Sequence, residues 1–275
     1  MRDGSSWARL RRSLWQPPRP HGEQPRLFVT GTAACAVLLA ATALLPASAR
    51  IPAWGLIDAA YLAGYAVVIL MASPAPAAAM IITEALTERF GAFIIIVLGE
   101  TLTGVVAGLS SRPISGLTLT VGLVAVVVGF GAWWTYFDFT GGRQPRPERA
   151  ASLQWMIGHL PLTAAIAAMG AAMVSLVDHA HDGRTPAAAA WVLCAGAAVV
   201  LGATMLLAAT LPAWDRDRGL YRPLARTCAV VAVACLALGA ARPAPLVLGL
   251  ALVVLLSIPW MLTVARRVAS GQDAA

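Results

Sequence analysis

Apolar runs of about 20 residues recur along the chain, and they limit its possible folds more than any other feature. A helix of that length crosses about 30 Å of hydrocarbon and satisfies its own backbone hydrogen bonds there. Hydrophobic residues make up 59% of the 275 residues and charged residues only 12%, about half the charge of an ordinary soluble domain. The sequence therefore predicts an all-α fold, a polytopic transmembrane helix bundle.

About eight membrane-spanning helices are predicted, separated by turns rich in proline and glycine. They cover roughly 27–45, 54–72, 91–109, 117–137, 155–177, 187–211, 224–240 and 244–264. A basic tail, 1–26, precedes the transmembrane domain, 27–264, and a short tail, 265–275, follows it. A cleaved signal over 27–49 is the rival interpretation of the first span, because Ala47-Ser48-Ala49 is similar to a small-residue cleavage site.

Arginine placement predicts the orientation of the spans. If alternate loops lie on the same side, one side of the membrane holds 16 arginines, and the other holds Arg50, Arg112, Arg184 and Arg242. The positive-inside rule then places both termini in the cytoplasm. The net charge of +7 does not indicate nucleic acid as a partner, because the arginines lie between apolar spans rather than on one binding face. The expected partner is the lipid bilayer, and the oligomeric state is left open.

Glu100 is an ionisable residue in the middle of the third span. Such a group costs about 2.5–3.5 kcal/mol at a helix centre, so we expect Glu100 to face the bundle interior. Arg89 lies eleven residues earlier, which puts it about 20° away around the helix and about 16 Å away along it. Glu84 and Glu88 lie one turn apart before this span and are typical of a solvated helix face.

Asp138 and His159 lie near the predicted cytoplasmic ends of spans four and five. Asp138 is either a solvated acid beside an interfacial aromatic belt or a partner for Arg89 or His159. His159 is either a structural residue or a proton-relay element, since histidine titrates near neutrality. We expect Arg89, Asp138 and His159 to approach one another. With Glu88 and Glu100 they form the predicted polar intramembrane site.

No cofactor, metal or catalytic residue is predicted. The four cysteines lie inside apolar spans without CxxC spacing and are typical of buried hydrophobic residues. His179 and His181, flanked by acids in an outer loop, either bind Zn or Cu or belong to a solvated loop, and the solvated loop is favoured. Nucleotide-binding and hydrolase motifs are missing from the sequence, which weakens an enzyme interpretation.

The segment Glu88–Glu100 resembles the bacterial low temperature requirement protein A (LtrA) family, whose pattern there is close to ERFGLFxIIxLGE. Trp134–Asp138 and His159–Leu162 are similar to its WWxYFD and HLPL segments, so the resemblance covers roughly 50–240. It implies a polytopic protein of the bacterial inner membrane, named for growth in the cold, without a settled activity. The residues that match the family motifs are Glu88, Arg89, Gly99, Glu100, Asp138 and His159.

The chain also departs from the family pattern. Family members usually open with an acidic ELFFDL-like helix, which this sequence lacks, and often have histidine where Ala85 stands. We therefore expect a chain shortened at its N-terminus. The leading functional hypothesis is translocation of a small solute or ion through a polar site at Glu100. The alternative is a non-transporting protein of cold or stress adaptation, in which the buried charges serve helix packing.

The arginine distribution makes a prediction about topology. Reporter fusions placed after Gln272 and within 178–186 should report opposite sides of the membrane, with the C-terminal fusion in the cytoplasm. A periplasmic C-terminus would contradict the predicted orientation.

Overall fold

A computed structural model describes residues 24–71, 82–110 and 115–269, and these residues contain helices but no strands. Seven of the helices are long and apolar enough to cross a membrane, and the first helix is a shorter apolar one. The prediction of an all-α polytopic bundle is therefore confirmed. Most of the predicted basic tail 1–26, residues 72–81 before the third span and residues 270–275 of the predicted C-terminal tail lie outside the described residues.

The helices follow the predicted spans closely. Their bounds are α1 Gln24–Ala41, α2 Ala47–Met71, α3 Glu84–Ser110, α4 Gly116–Phe139, α5 Arg149–Asp178, α6 Ala187–Ala208, α7 Pro212–Arg216, α8 Arg218–Ala241 and α9 Pro245–Ala269. The chain divides into two compact units, Met1–Met71 and Ala72–Ala275.

In the first unit, α1 and α2 form a helical hairpin whose turn is closed by side chains. The Arg50 guanidinium donates hydrogen bonds to the carbonyls of Leu45 and Ala43, at 3.0 and 3.1 Å. The Trp54 indole N–H donates to the Thr42 hydroxyl at 2.6 Å. These bonds satisfy polar groups that the end of a helix would otherwise leave without partners.

In the second unit, α5 and α6 form the centre of the bundle. α3 packs on α5, α8 packs on α6, and α9 packs on α4 and α8. Glycine permits the closest approach between α3 and α5, because a Cβ placed on Gly170 would lie 2.5 Å from the Thr101 hydroxyl oxygen. Small residues at such contacts let two membrane helices pack closely. Close packing favours their association, because lipid tails are as apolar as the side chains and there is no hydrophobic driving force between the helices.

The loops that the arginine pattern assigned to one side meet at one end of this unit. Arg146 forms an ion pair with Asp215 at 2.6 Å, and Arg266 donates to the carbonyl of Gly219 at 2.8 Å. The first contact joins loop 140–148 to segment 209–217, and the second joins the last turns of α9 to the first turn of α8; we call this the arginine-rich end.

The remaining loops of the second unit meet at the opposite end of the bundle. The Thr185 hydroxyl donates to the carbonyl of Pro243 at 2.6 Å, and the Ser115 hydroxyl lies 2.9 Å from the His181 ring. The alternation of arginine-rich and arginine-poor loops therefore corresponds to the two ends of the folded unit.

Candidate functional site

His159 is a buried polar residue of α5, with 2% of its surface exposed. Its Nδ1 lies 2.7 Å from the carbonyl oxygen of Trp155, and its Nε2 lies 3.1 Å from the hydroxyl of Tyr136. A carbonyl oxygen only accepts, so Nδ1 carries the proton and the Tyr136 hydroxyl donates to Nε2 of the neutral ring. Both ring nitrogens are thus satisfied without a charged partner.

Aromatic rings from three helices surround this histidine. The ring centroids of Trp155, Phe90 and Tyr136 lie 4.3, 4.5 and 5.7 Å from that of His159. Phe90 belongs to α3, Tyr136 to α4, and the other two residues to α5. We call these four residues the His159 cluster. It fixes α3 and α4 against α5 close to the arginine-rich end.

The indole N–H of Trp155 is a polar group of the cluster that forms no hydrogen bond with the described residues. Trp155 is 1% exposed, and its Nε1 has no hydrogen-bond partner among the described residues. An unpaired buried donor costs about 1–3 kcal/mol. The Trp155 indole N–H can therefore still donate a hydrogen bond to a water molecule or to another acceptor.

Asp138 lies on the α9 side of α4. A Cβ on Gly131 would lie 3.2 Å from Leu256 of α9, and a Cβ on Gly249 of α9 would lie 2.6 Å from Val124. Positions 124, 131 and 138 are seven residues apart and so share a helix face. The Oδ2 atom of Asp138 is buried without a hydrogen-bond partner among the described residues.

Tyr136 is a hydrogen-bond partner of His159 in the structure, and the expected approach of Arg89, Asp138 and His159 stays a prediction. Within the described ranges, no hydrogen bond or ion pair links His159 to either Arg89 or Asp138. Tyr136 occupies a partner position that a charged residue could also fill. A neutral hydroxyl satisfies a buried imidazole without the desolvation of a second charge.

Glu88, Arg89 and Glu100 all lie on the exposed side of α3 in the second unit. The expectation that Glu100 faces the bundle interior therefore differs from the structure. Leu98 and Thr101 are buried, and Glu100 lies about 200° and about 100° from them around the helix. Packing of the apolar positions, rather than the cost of the carboxylate, determines which face of α3 turns inward.

The face around Glu100 is otherwise apolar and has small residues. Ile96, one turn before Glu100, is 67% exposed, and Phe93 is 48% exposed. A Cβ added to Gly99 would meet no atom within 4 Å. The shared face of Arg89 and Glu100, which the sequence predicted, is the exposed face of this helix.

We did not predict Phe90, Tyr136 or Trp155 as members of the site. Phe90 and Tyr136 lie inside the quoted motifs, and Trp155 precedes His159 by four residues. The i, i+4 spacing places Trp155 on the same helix face as His159, so this signal was available in the sequence.

The two loop histidines contribute to helix ends. The His181 ring lies 2.9 Å from the hydroxyl of Ser115, the N-cap residue of α4. His179 Nδ1 donates to the Ser175 carbonyl at 2.8 Å. Across the described parts of the chain, no group of three or more histidine, cysteine or acidic residues could hold a metal ion. All four cysteines are free thiols, and Cys194, Cys228 and Cys235 are buried.

A family model described as bacterial low temperature requirement A protein (LtrA) matches residues 6–259. The chain belongs to this family. The match includes α3, α4 and α5 in full, and it extends the resemblance of the three LtrA motifs towards both ends of the chain. No curated protein and no solved structure matches the chain.

The His159 cluster of this LtrA family member makes a prediction about stability. Tyr136→Phe removes the donor to His159 Nε2 without changing the ring, so the buried acceptor is left unsatisfied. We expect unfolding in detergent to become easier by roughly 1–2 kcal/mol, measured by denaturant titration.

Tyr221→Phe is the matched control. The Tyr221 hydroxyl accepts from Arg143 at 3.1 Å, but Arg143 keeps the carbonyls of Phe139 and Asp138 as acceptors. Its loss of stability should be smaller. An equal or larger loss for Tyr221→Phe would contradict the assigned role of the His159–Tyr136 bond.

Proposed function

We propose that this LtrA family member translocates a small solute or ion across the bacterial inner membrane, with Glu100 as the group that takes up and releases a proton. The observation that carries the proposal is the position of Glu100 on an exposed face of α3 whose neighbouring positions, Phe93, Ile96 and Gly99, are apolar or small. An isolated carboxylate is costly in hydrocarbon. Intramembrane ionisable groups of this kind usually line a water-filled cavity or a substrate path.

The polar groups along the same face support a path towards the arginine-rich end. Arg89 lies about 16 Å from Glu100 along the helix axis. Thr103 follows Glu100 on the exposed side, and its hydroxyl donates to the carbonyl of Gly99 at 3.0 Å. These residues give a solute polar contacts at more than one depth.

The His159 cluster has a supporting role in this proposal. Its members are buried on the inward side of α3, α4 and α5 and satisfy one another with neutral hydrogen bonds. They hold α3 firmly, so that the face with Glu100 keeps a fixed position relative to α5. His159 acts here as a structural residue rather than as the proton carrier.

The alternative is a non-transporting protein of cold or stress adaptation, in which Glu100 serves helix packing. One observation favours it: the space beside Gly99 is open, and small residues permit close approach of a further helix. A donor on that helix would then satisfy Glu100. The family description refers to a low temperature requirement, which is compatible with both functions.

We also propose that both termini lie in the cytoplasm. The arginines of the second unit that meet at one end of the bundle support this, because arginine is enriched in cytoplasmic loops.

Proton flux into vesicles distinguishes the two functions. Wild-type protein, Glu100→Gln and Glu84→Gln are reconstituted separately, and an enclosed pH-sensitive dye reports entry of protons down an imposed gradient. We expect wild-type protein and Glu84→Gln to carry protons and Glu100→Gln to fall to the rate of protein-free vesicles. Glu84 is the control because it is also an exposed glutamate of α3, in its first turn.

Undiminished flux in Glu100→Gln would contradict the proposal, as would wild-type flux equal to that of protein-free vesicles. In the second case, a lowered thermal stability of Glu100→Gln would favour the packing alternative, since that alternative requires a hydrogen bond or ion pair to Glu100.

A further inference from the structure

α8 carries a stripe of arginines that continues into an apolar stripe on the same exposed face. Arg222 and Arg226 are one turn apart and exposed. Val230 and Val233 continue the face and are 69% and 66% exposed. A face of this kind has one charged end and one apolar end, which matches the two parts of a phospholipid molecule.

α8 as a whole is long and apolar enough to cross a membrane, but its uncharged part, between Arg226 and Arg242, is shorter than the hydrocarbon is thick. Sixteen residues separate Arg226 from Arg242, which corresponds to about 24 Å of helix, whereas the hydrocarbon is about 30 Å thick. Arg242 ends the helix in a left-handed conformation (φ 52°), and its Nε donates to the Thr185 carbonyl at 3.1 Å. With Arg242 at the opposite boundary of the hydrocarbon, the backbone of Arg226 lies inside it unless the bilayer thins, and the Arg226 guanidinium then has to reach a polar partner.

Arg266 of α9 brings a third guanidinium to this face. Its Nη1 donates to the carbonyl of Gly219 at 2.8 Å, and Gly219 lies one turn before Arg222 on the exposed side of α8. Two helices thus supply positive charge to the same edge of the bundle. Arginine binds phosphate well because its planar fork offers several donors in a fixed geometry.

The nearby carboxylates are already engaged elsewhere. Asp215 pairs with Arg146 at 2.6 Å and with Arg218 at 3.1 Å. Asp217 accepts a hydrogen bond from the backbone N–H of Leu220 as the N-cap of α8. Among the described residues, no carboxylate forms an ion pair with Arg222, Arg226 or Arg266.

We propose that Arg222, Arg226 and Arg266 bind the phosphate of an anionic phospholipid at the arginine-rich end, with its acyl chain along Val230 and Val233. The phosphate lies at the boundary of the hydrocarbon and contacts Arg226 there, so the guanidinium of Arg226 has a charged partner at that depth. The apolar continuation favours a lipid over free phosphate, and the surplus of positive charge favours an anionic lipid over a zwitterionic one. This site is independent of the proposed translocation.

Native mass spectrometry of the full chain in one detergent tests the proposal. The protein is titrated with phosphatidylglycerol and, separately, with phosphatidylcholine. We expect wild-type protein to prefer phosphatidylglycerol and the double variant R222Q/R226Q to lose about thirtyfold in affinity for it. R216Q is the matched control, because Arg216 is also exposed at this end but belongs to α7, and it should retain the preference.

Three results would overturn the proposal. They are equal affinity of wild-type protein for the two lipids, an unchanged preference in R222Q/R226Q, and an equal loss in R216Q. Displacement of phosphatidylglycerol by millimolar inorganic phosphate would also overturn it and would indicate a site for free phosphate. If the double variant does not fold, the single variant R226Q replaces it, with an expected loss of about fivefold.

Discussion

Polar groups inside a bilayer must find partners within the protein, and the structure depends on this constraint throughout. The helices satisfy the backbone, and the hydroxyls of Thr101, Thr103 and Thr135 donate to the carbonyls four residues earlier. His159 follows the same rule between helices, with Tyr136 on one nitrogen and the Trp155 carbonyl on the other. Where α3, α4 and α5 meet, neutral hydrogen bonds and aromatic contacts stabilise the packing in place of ion pairs.

The two sites that we propose lie where the protein itself does not meet this constraint. Glu100 lies on an exposed face among apolar or small neighbours, and Arg222 and Arg226 precede an uncharged part of α8 that is shorter than the hydrocarbon is thick. We propose a partner from outside the bundle for each: water or a solute for the carboxylate, and a lipid phosphate for the guanidinium groups. The two sites differ in charge, in helix and in expected ligand, so each can be tested without the other.

Much of the fold could be predicted from the sequence because apolar length is a direct signal in membrane proteins. The expected span 117–137 corresponds to Gly116–Phe139, and the loops assigned to one side by their arginines meet through Arg146 and Asp215. The inward faces could not be predicted in the same way. α3 is apolar on several sides, so the cost of Glu100 suggested an interior position, whereas Ile94 and Leu98 fill the interior. Likewise, Asp138 could be read from the sequence either as a solvated acid or as a partner of Arg89 or His159, whereas Tyr136 supplies the hydrogen bond to His159.

Water access at position 100 tests the central claim most directly. In a variant without the four native cysteines, Glu100→Cys and Ile95→Cys are labelled in membranes with a small hydrophilic thiol reagent. Ile95 is also exposed, at 52%, but lies about 140° away around α3 and about 7.5 Å closer to the first turn of the helix. The account predicts rapid labelling at position 100 and slow labelling at position 95. Labelling at position 100 that is no faster than at position 95 would contradict a polar path along this face.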